Sequence, residues 1–248
     1  MPHNQYICRL KYHGMTKKDN TIFSAGMKLA DMLDINPGLL SLLLRVGISF
    51  GFGDETVEEV CLRSGLNVNT FLLICNVYTF DGYRPGAALM HKAEPGDIVK
   101  YLHKSHDYYL HMADESLLTA LEKAVEPCDE KRKWMIRKFF KDYREELAKH
   151  FEYEEKVVFP YVESVLGHKA SPDYNILQYE ENHSNVEEKL SDLKSIVMKY
   201  LPRECSDHDI FQVLFMIYAL EDDLRKHTFI EDDILVPIVN RLEENEKE

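Results

Sequence analysis

The sequence lacks a long apolar run. Its longest one, residues 39–44, already contains Ser41, whereas a helix that crosses a bilayer needs about 20 consecutive apolar residues. The polar segment at residues 1–20 also lacks the apolar core of a secretory signal peptide. We therefore expect a cytoplasmic protein with no membrane partner.

Basic charge is also scarce. The chain carries 43 acidic and 30 basic residues, which gives a formal net charge of −13. Proteins that bind nucleic acids or anionic membranes present basic stripes. The basic residues here are interspersed with acidic ones, so nucleic acid is not expected as a partner.

Cysteine occurs five times and never as a CxxC pair. The positions are Cys8, Cys61, Cys75, Cys128 and Cys205. A disulfide framework or a zinc ribbon uses an even number of closely paired cysteines. The scattered pattern indicates reduced thiols with a modest role in packing.

Glycine and proline divide the 248-residue chain into four parts. Residues 1–20 predict a polar tail, and residues 21–82 predict a small domain of short helices. Residues 83–96, which are rich in turn-forming residues, predict a linker. Residues 97–242 form the main domain.

One helix of the small domain has well-marked ends. Asp54 is well placed to cap a helix over residues 55–63, and Gly65 is well placed to end it. Short helices of this kind predict an all-α small domain.

Four long stretches of the main domain carry apolar residues alternately three and four apart. The breaks fall near Pro127, between Pro160 and Pro172, and near Pro202. This spacing is typical of helices that pack nearly parallel, at about 20°. The sequence therefore predicts an all-α protein whose main domain is an antiparallel, up-down four-helix bundle.

Six polar residues occupy positions where these stretches should be apolar. These six candidate ligands are His106, His150, Glu154, His183, His227 and Glu231. In each half of the domain the two histidines are 44 residues apart, the glutamate follows the second histidine by four residues, and a proline follows the glutamate by six. The second half thus repeats the first at an offset of 77 residues, which indicates an internal duplication of a helix pair.

Helix geometry brings the six candidate ligands together. A histidine and a glutamate four residues apart lie on one face of a helix. Two such pairs, with one histidine from each remaining helix, converge on the bundle axis. Imidazole nitrogen and carboxylate oxygen suit iron, manganese or zinc.

Six protein ligands are too many for one tetrahedral ion and suit two ions. We expect Glu154 and Glu231 to bridge the ions and the four histidines to bind terminally. Water, hydroxide, oxo or another small anion would complete the coordination. The alternative is a set of ordinary core histidines, but burying two unpaired carboxylates costs several kcal/mol each, which favours the metal.

Other polar groups have weaker signals. His111 and Glu115 share the four-residue spacing but lie off the apolar stripe, so we expect them in solvent. Glu187 lies beside its stripe and is a candidate surface or supporting group. Glu146 and Asp223 each precede a matched histidine by one turn, so they either orient that histidine or lie on the surface.

Three tyrosines fall on the apolar stripes: Tyr109, Tyr143 and Tyr179. We expect them to close the metal pocket or to donate a hydrogen bond into it.

The main domain resembles the hemerythrin-like (HHE cation-binding) domain. The resemblance lies in the six candidate ligands and in the segments HFEYEEKVVFP and HTFIEDDILVP. It implies that all six occupy the family's ligand positions. It also implies a cofactor of two iron ions joined by an oxo or hydroxo bridge, with zinc or manganese as substitutes.

The pairing of this bundle with a small helical domain resembles the RIC family. Those di-iron proteins are linked to repair of iron–sulfur clusters after nitric oxide or oxidative damage. The resemblance implies NO or O₂ as a small ligand, and damaged iron–sulfur proteins as partners. The family's Cys-Cys-Gly-Gly turn is absent, because the matching stretch reads Gly51-Phe52-Gly53-Asp54.

Three functions stay open at this point. The first is a stress protein that binds or reduces NO or O₂, or donates iron to damaged clusters. The second is a sensor or carrier of O₂ or NO without turnover, which the missing cysteines favour. The third, metal storage or a zinc-filled structural bundle, is disfavoured because ferritin-type proteins use Glu-x-x-His.

Overall fold

The computed structural model describes residues 23–168, 175–177, 179 and 186–245. The predicted polar tail at residues 1–20 and the candidate ligand His183 lie outside these residues. Apart from an isolated β-bridge between Lys28 and Thr56, the regular structure of the described residues is helical, as predicted.

Five short helices precede the bundle. They are α1 (Leu29–Ile35), α2 (Leu39–Arg45), α3 (Val57–Ser64), α4 (Val68–Thr79) and α5 (Ala87–Met90). The last of these lies within the predicted linker.

The start of α3 differs from the prediction. Thr56, not Asp54, is the N-cap: its hydroxyl accepts from the backbone N–H of Glu59, whose carboxylate accepts from the backbone N–H of Thr56. This reciprocal capping box satisfies two N–H groups at the helix start, so it outcompetes a single aspartate cap. Asp54 pairs instead with Lys28, at 2.8 Å. Gly65 ends the helix as predicted, with a left-handed φ of 65°.

Four long helices form the bundle. The first consists of α6 (Pro95–His111), a π-helical turn (Met112–Leu117) and α7 (Leu118–Val125). The second consists of α8 (Glu130–Tyr153), a π-turn (Glu154–Val158) and α9 (Phe159–Leu166). The third contains α10 (Val186–Tyr200), and the fourth consists of α11 (Asp207–Ile230), a π-turn (Glu231–Leu235) and α12 (Val236–Asn245).

The second long helix ends within the predicted break between Pro160 and Pro172, but it does not end at Pro160 itself. The second long helix continues through this proline to Leu166, and backbone angles remain helical at the junction. Proline lacks an N–H and clashes with the carbonyl one turn earlier, and a wider π-turn in the preceding residues accommodates both defects. The same device recurs before Pro237 in the fourth helix. Both π-turns begin at a candidate ligand, Glu154 or Glu231.

The buried apolar side chains form two clusters. One joins the N-terminal helices, through residues such as Leu42 and Phe71, to the bundle end that contains Leu102 and Ile234. The other fills the opposite half of the bundle. The short helices therefore share one core with the bundle end that carries the candidate ligands.

Among the described helices, none alone combines the length and apolarity needed to cross a membrane; only Val57–Ser64 and Val68–Thr79 together pass that test, by length and composition, with a 120° bend between them.

Candidate metal centre

Five of the six candidate ligands lie in the described part of the chain, and all five are buried. His106 lies in α6, His150 in α8 and His227 in α11, while Glu154 and Glu231 are the first residues of the two matched π-turns. Each glutamate therefore sits where its helix widens, one turn after its histidine. Such π-turns occur frequently at functional sites.

Four of these side chains converge on one point. His106, Glu154, His227 and Glu231 each offer one donor atom, and these atoms all lie within 4.8 Å of one another. His106 Nε2 is 3.1 Å from Glu154 Oε2, and His227 Nε2 is 3.0 Å from Glu231 Oε1. The Nε2 atoms of the two histidines are 3.3 Å apart.

His150 adjoins this cluster. Its Nε2 lies 3.2 Å from Oε1 of Glu154, so the two oxygens of that carboxylate face different histidines. The carboxylate of Glu154 therefore contacts imidazole rings from two different helices.

The site holds charge in a buried environment. Burial opposes a charged His106, but hydrogen bonds to Glu154 and Glu155 outweigh it and raise its pKa to about 9. Burial, reinforced by the nearby charge of His106, lowers the pKa of His227 to about 3. Burial disfavours the ionised form of Glu154, yet the hydrogen bond from His106 and the histidine charges lower its pKa to about 2.

These directions describe a site that favours a cation. A buried carboxylate is kept ionised by a neighbouring positive charge, and a divalent metal supplies that charge while displacing the imidazole proton. The Nδ1 atom of His227 is buried without a hydrogen-bond partner among the described residues. The nitrogen and oxygen donors therefore fit a metal ion.

Glu155 supports the site and escaped the sequence prediction. It accepts hydrogen bonds from Nδ1 of both His103 and His106, at 2.7 Å each. Metal-binding histidines commonly donate their second N–H to a carboxylate, which fixes the ring orientation. Glu155 lies off the apolar stripe of a regular helix, so the spacing pattern gave no signal for it.

The three tyrosines play different parts. Tyr179 donates a hydrogen bond to Oε1 of Glu154, at 2.6 Å, as expected. The ring of Tyr109 lies edge-on to His227, at 5.3 Å between centroids. The hydroxyl of Tyr143 is buried and makes no hydrogen bond to any described residue.

The predicted supporting carboxylates have other partners. Glu146 forms an ion pair with Lys189, and its side chain is 46% exposed. Asp223 is held by Arg45 of α2, at 2.9 Å, and by the hydroxyl of Tyr109, at 2.7 Å. The matched sequence positions of Glu146 and Asp223 therefore do not lead to matched roles.

Two further predictions concern the pair His111 and Glu115 and the single residue Glu187. His111 and Glu115 form an exposed pair, with side chains 65% and 70% accessible, as expected. The side chain of Glu187 lies outside the described residues.

A cleft of about 600 Å³ lies between the N-terminal helices and the bundle. Its wall includes His103, Glu155 and Phe159, and Leu44 and Leu66 lie on the opposite side. Solvent therefore reaches the group that holds His106.

The whole site lies within a region that matches a known family. Residues 97–239 match the hemerythrin HHE cation binding domain, which is more than half of the chain. Comparison with curated proteins finds no matching relative. The chain therefore belongs to the hemerythrin family, and the buried histidine and glutamate cluster makes it a metal-binding protein.

Proposed function

We propose that this chain is a non-haem di-iron protein of the hemerythrin-like class. The six candidate ligands would hold two iron ions, shared by both glutamates, with zinc or manganese as substitutes. The convergence of four buried donors within 4.8 Å supports this proposal. Metal ions would supply the positive charge that two carboxylates buried at one point need.

The donor chemistry favours iron over softer metals. The cluster offers imidazole nitrogen and carboxylate oxygen, and no cysteine belongs to it. Thiolate ligands select copper(I), zinc or iron–sulfur clusters, whereas mixed nitrogen and oxygen sites suit iron and manganese. Iron bound here would supply electrons through a change between the ferrous and ferric states.

The surrounding residues orient the ligands and cover them with aromatic rings. Glu155 holds Nδ1–H of His106, which leaves Nε2 of that ring facing the cluster. The rings of Phe151 and Phe159 stack on His106, with centroids 4.1 and 5.4 Å away. Tyr179 fixes one oxygen of Glu154.

A site of this kind suits a small, uncharged diatomic ligand. The donor atoms are buried beneath aromatic rings, and NO and O₂ are small enough to reach a buried site of this kind. We place the protein in the response to nitrosative or oxidative stress, where it binds or reduces NO or O₂ or donates iron to damaged iron–sulfur proteins. The resemblance of the domain pairing to the RIC family supports that role.

The test begins with metal content. Protein expressed in iron-supplemented medium is expected to contain about two irons per chain, and His150→Ala and Glu231→Ala are expected to lose both together. His111→Ala is the matched control. His111 precedes Glu115 by four residues, as His150 precedes Glu154, but it is exposed to solvent. Iron-loaded protein that neither reacts with NO or O₂ nor restores a damaged cluster would overturn the stress role.

A second candidate function is a sensor or carrier that binds O₂ or NO without turnover. It is favoured by the turn Gly51–Asp54, which lacks the family's two cysteines, and by the contact of Arg45 with Asp223 near His227. That contact links the N-terminal helices to the site. A stable and reversible oxygenated spectrum supports this function, whereas rapid autoxidation with consumption of peroxide supports redox chemistry.

A further inference from the structure

Two of the five cysteines meet at the end of the bundle far from the metal centre. The Sγ atoms of Cys128 and Cys205 lie 3.6 Å apart, and both residues are only 5% exposed. They are 77 residues apart, which is the offset of the internal duplication. Each directly precedes the N-cap of a long helix, Asp129 for α8 and Ser206 for α11.

We propose that Cys128 and Cys205 are an oxidative modification site. Hydrogen peroxide converts them to an intrachain disulfide, and a thiol such as glutathione reduces the disulfide again. The site is separate from the metal centre and does not depend on which metal is bound there.

The placement of the two sulfurs suits this reaction. A disulfide has its sulfurs about 2.05 Å apart, so closing the 3.6 Å gap requires each sulfur to move by less than about 1 Å. The residues on either side of both cysteines are largely exposed: Asp129 and Pro127 flank one, and Glu204 and Ser206 flank the other. A molecule as small as hydrogen peroxide therefore reaches the sulfurs without unfolding of the bundle.

The chemistry balances with peroxide as the oxidant. One thiol loses its proton, the thiolate sulfur attacks a peroxide oxygen, the O–O bond breaks, and a sulfenic acid and hydroxide form; the hydroxide takes up the proton and becomes water. The second thiol likewise loses its proton, and its sulfur attacks the sulfenic sulfur, which forms the S–S bond and releases hydroxide that takes up that proton as a second water. Two thiols and one peroxide thus give one disulfide and two waters, with two electrons passing from sulfur to oxygen.

The disulfide joins the two halves of the duplication. Each cysteine precedes a candidate histidine ligand, His150 or His227, by 22 residues, which is about 33 Å along a helix. The bond therefore stabilises the bundle without touching the metal ligands. Because it closes a long loop, we expect the melting temperature to rise by roughly 5–15 °C.

The experiment uses the full chain. Hydrogen peroxide treatment is expected to lower the number of thiols that titrate in denaturant from five to three. Peptide mapping without reductant is expected to join the peptides that contain Cys128 and Cys205, and glutathione should reverse both changes.

Three variants complete the test. Cys128→Ser and Cys205→Ser should each abolish the cross-link and the rise in melting temperature. Cys61→Ala should keep both, because Cys61 is a buried thiol of the N-terminal helices. Thiol loss that maps to other cysteines, conversion to sulfinic acid without a cross-link, or an unchanged thiol count would each overturn the proposal.

Discussion

Arg45 is the residue whose replacement tests how the N-terminal helices are fixed to the bundle. Its guanidinium donates to both carboxylate oxygens of Asp223, at 2.9 and 3.0 Å. The two side chains are only 3% and 13% exposed. Tyr78 and Tyr109 also donate to the same carboxylate, so the pair lies at the centre of a buried polar network.

The expected cost of Arg45→Met follows from this geometry. Removing one partner of a buried ion pair costs about 3–5 kcal/mol, because the other charge stays buried. Asp223 keeps its two tyrosine donors, which places the expected loss in unfolding free energy near the lower limit, at about 3 kcal/mol. For a chain of this size, the melting temperature should fall by roughly 6–12 °C.

The assay is urea unfolding at matched metal content, with circular dichroism as the signal that monitors unfolding. Arg84→Met is the matched control, because Arg84 also joins the N-terminal region to the fourth long helix, through Asp233 at 3.1 Å. That pair is 67% and 49% exposed, so its loss should cost less than about 1 kcal/mol. Asp223→Asn combined with Arg45→Met should cost clearly less than the sum of the single variants.

Amide hydrogen exchange shows where the loss occurs. In Arg45→Met, exchange should increase in α2 and α4, which pack on the bundle, and stay unchanged in the far half of α8. Equal costs for Arg45→Met and Arg84→Met, or additive effects of the double variant, would refute the argument that this buried pair holds the N-terminal helices.

Three further variants test the surroundings of the site and the core. Glu155→Gln should lower metal affinity about 10–100-fold, measured by competition with a chelator, because it weakens the hold on His106; unchanged affinity would remove Glu155 from the site. Tyr179→Phe should cost about 1.5–3 kcal/mol in urea unfolding of the metal-free protein, because it removes a hydrogen bond to a buried carboxylate; a neutral effect would contradict that bond. Leu147→Ala, in the fully buried core, should cost about 2–5 kcal/mol with metal content unchanged, and loss of metal would show that the core and the site are coupled.

The helical periodicity and the internal duplication were sufficient to predict the all-α fold and the cluster of ligand candidates. A histidine and a glutamate four residues apart share a helix face, so local spacing alone places Glu231 beside His227. Bundle packing then brings His106 to them from another helix. This part of the site follows from helix periodicity and from the packing of apolar stripes in a bundle.

The surroundings of the site depend on contacts that no local rule contains. Glu155 faces His106 because two helices pack in a particular rotation, and Arg45 reaches Asp223 across 178 residues of sequence. The course of the helix at Pro160 also escaped prediction, because a π-turn compensates for a proline that would otherwise end a helix.

The duplication explains where matched residues meet and where they diverge. In a bundle built from two equivalent helix pairs, counterparts touch only near the axis that relates the halves. Glu154 and Glu231 are one such pair of counterparts, with donor atoms within 4.8 Å of each other. Cys128 and Cys205, which share the offset of 77 residues, meet at the far end of the bundle.

Away from that axis, the N-terminal helices make the two halves different. They cover the side of the bundle that carries Asp223, which becomes buried against Arg45, while its counterpart Glu146 stays at the surface with Lys189. A symmetric sequence pattern therefore predicts the candidate ligands, four of which converge on one point, better than it predicts their neighbours. The inequality of the two halves arises because the N-terminal helices, which contact both α6 and α11, bury Asp223 and leave Glu146 exposed.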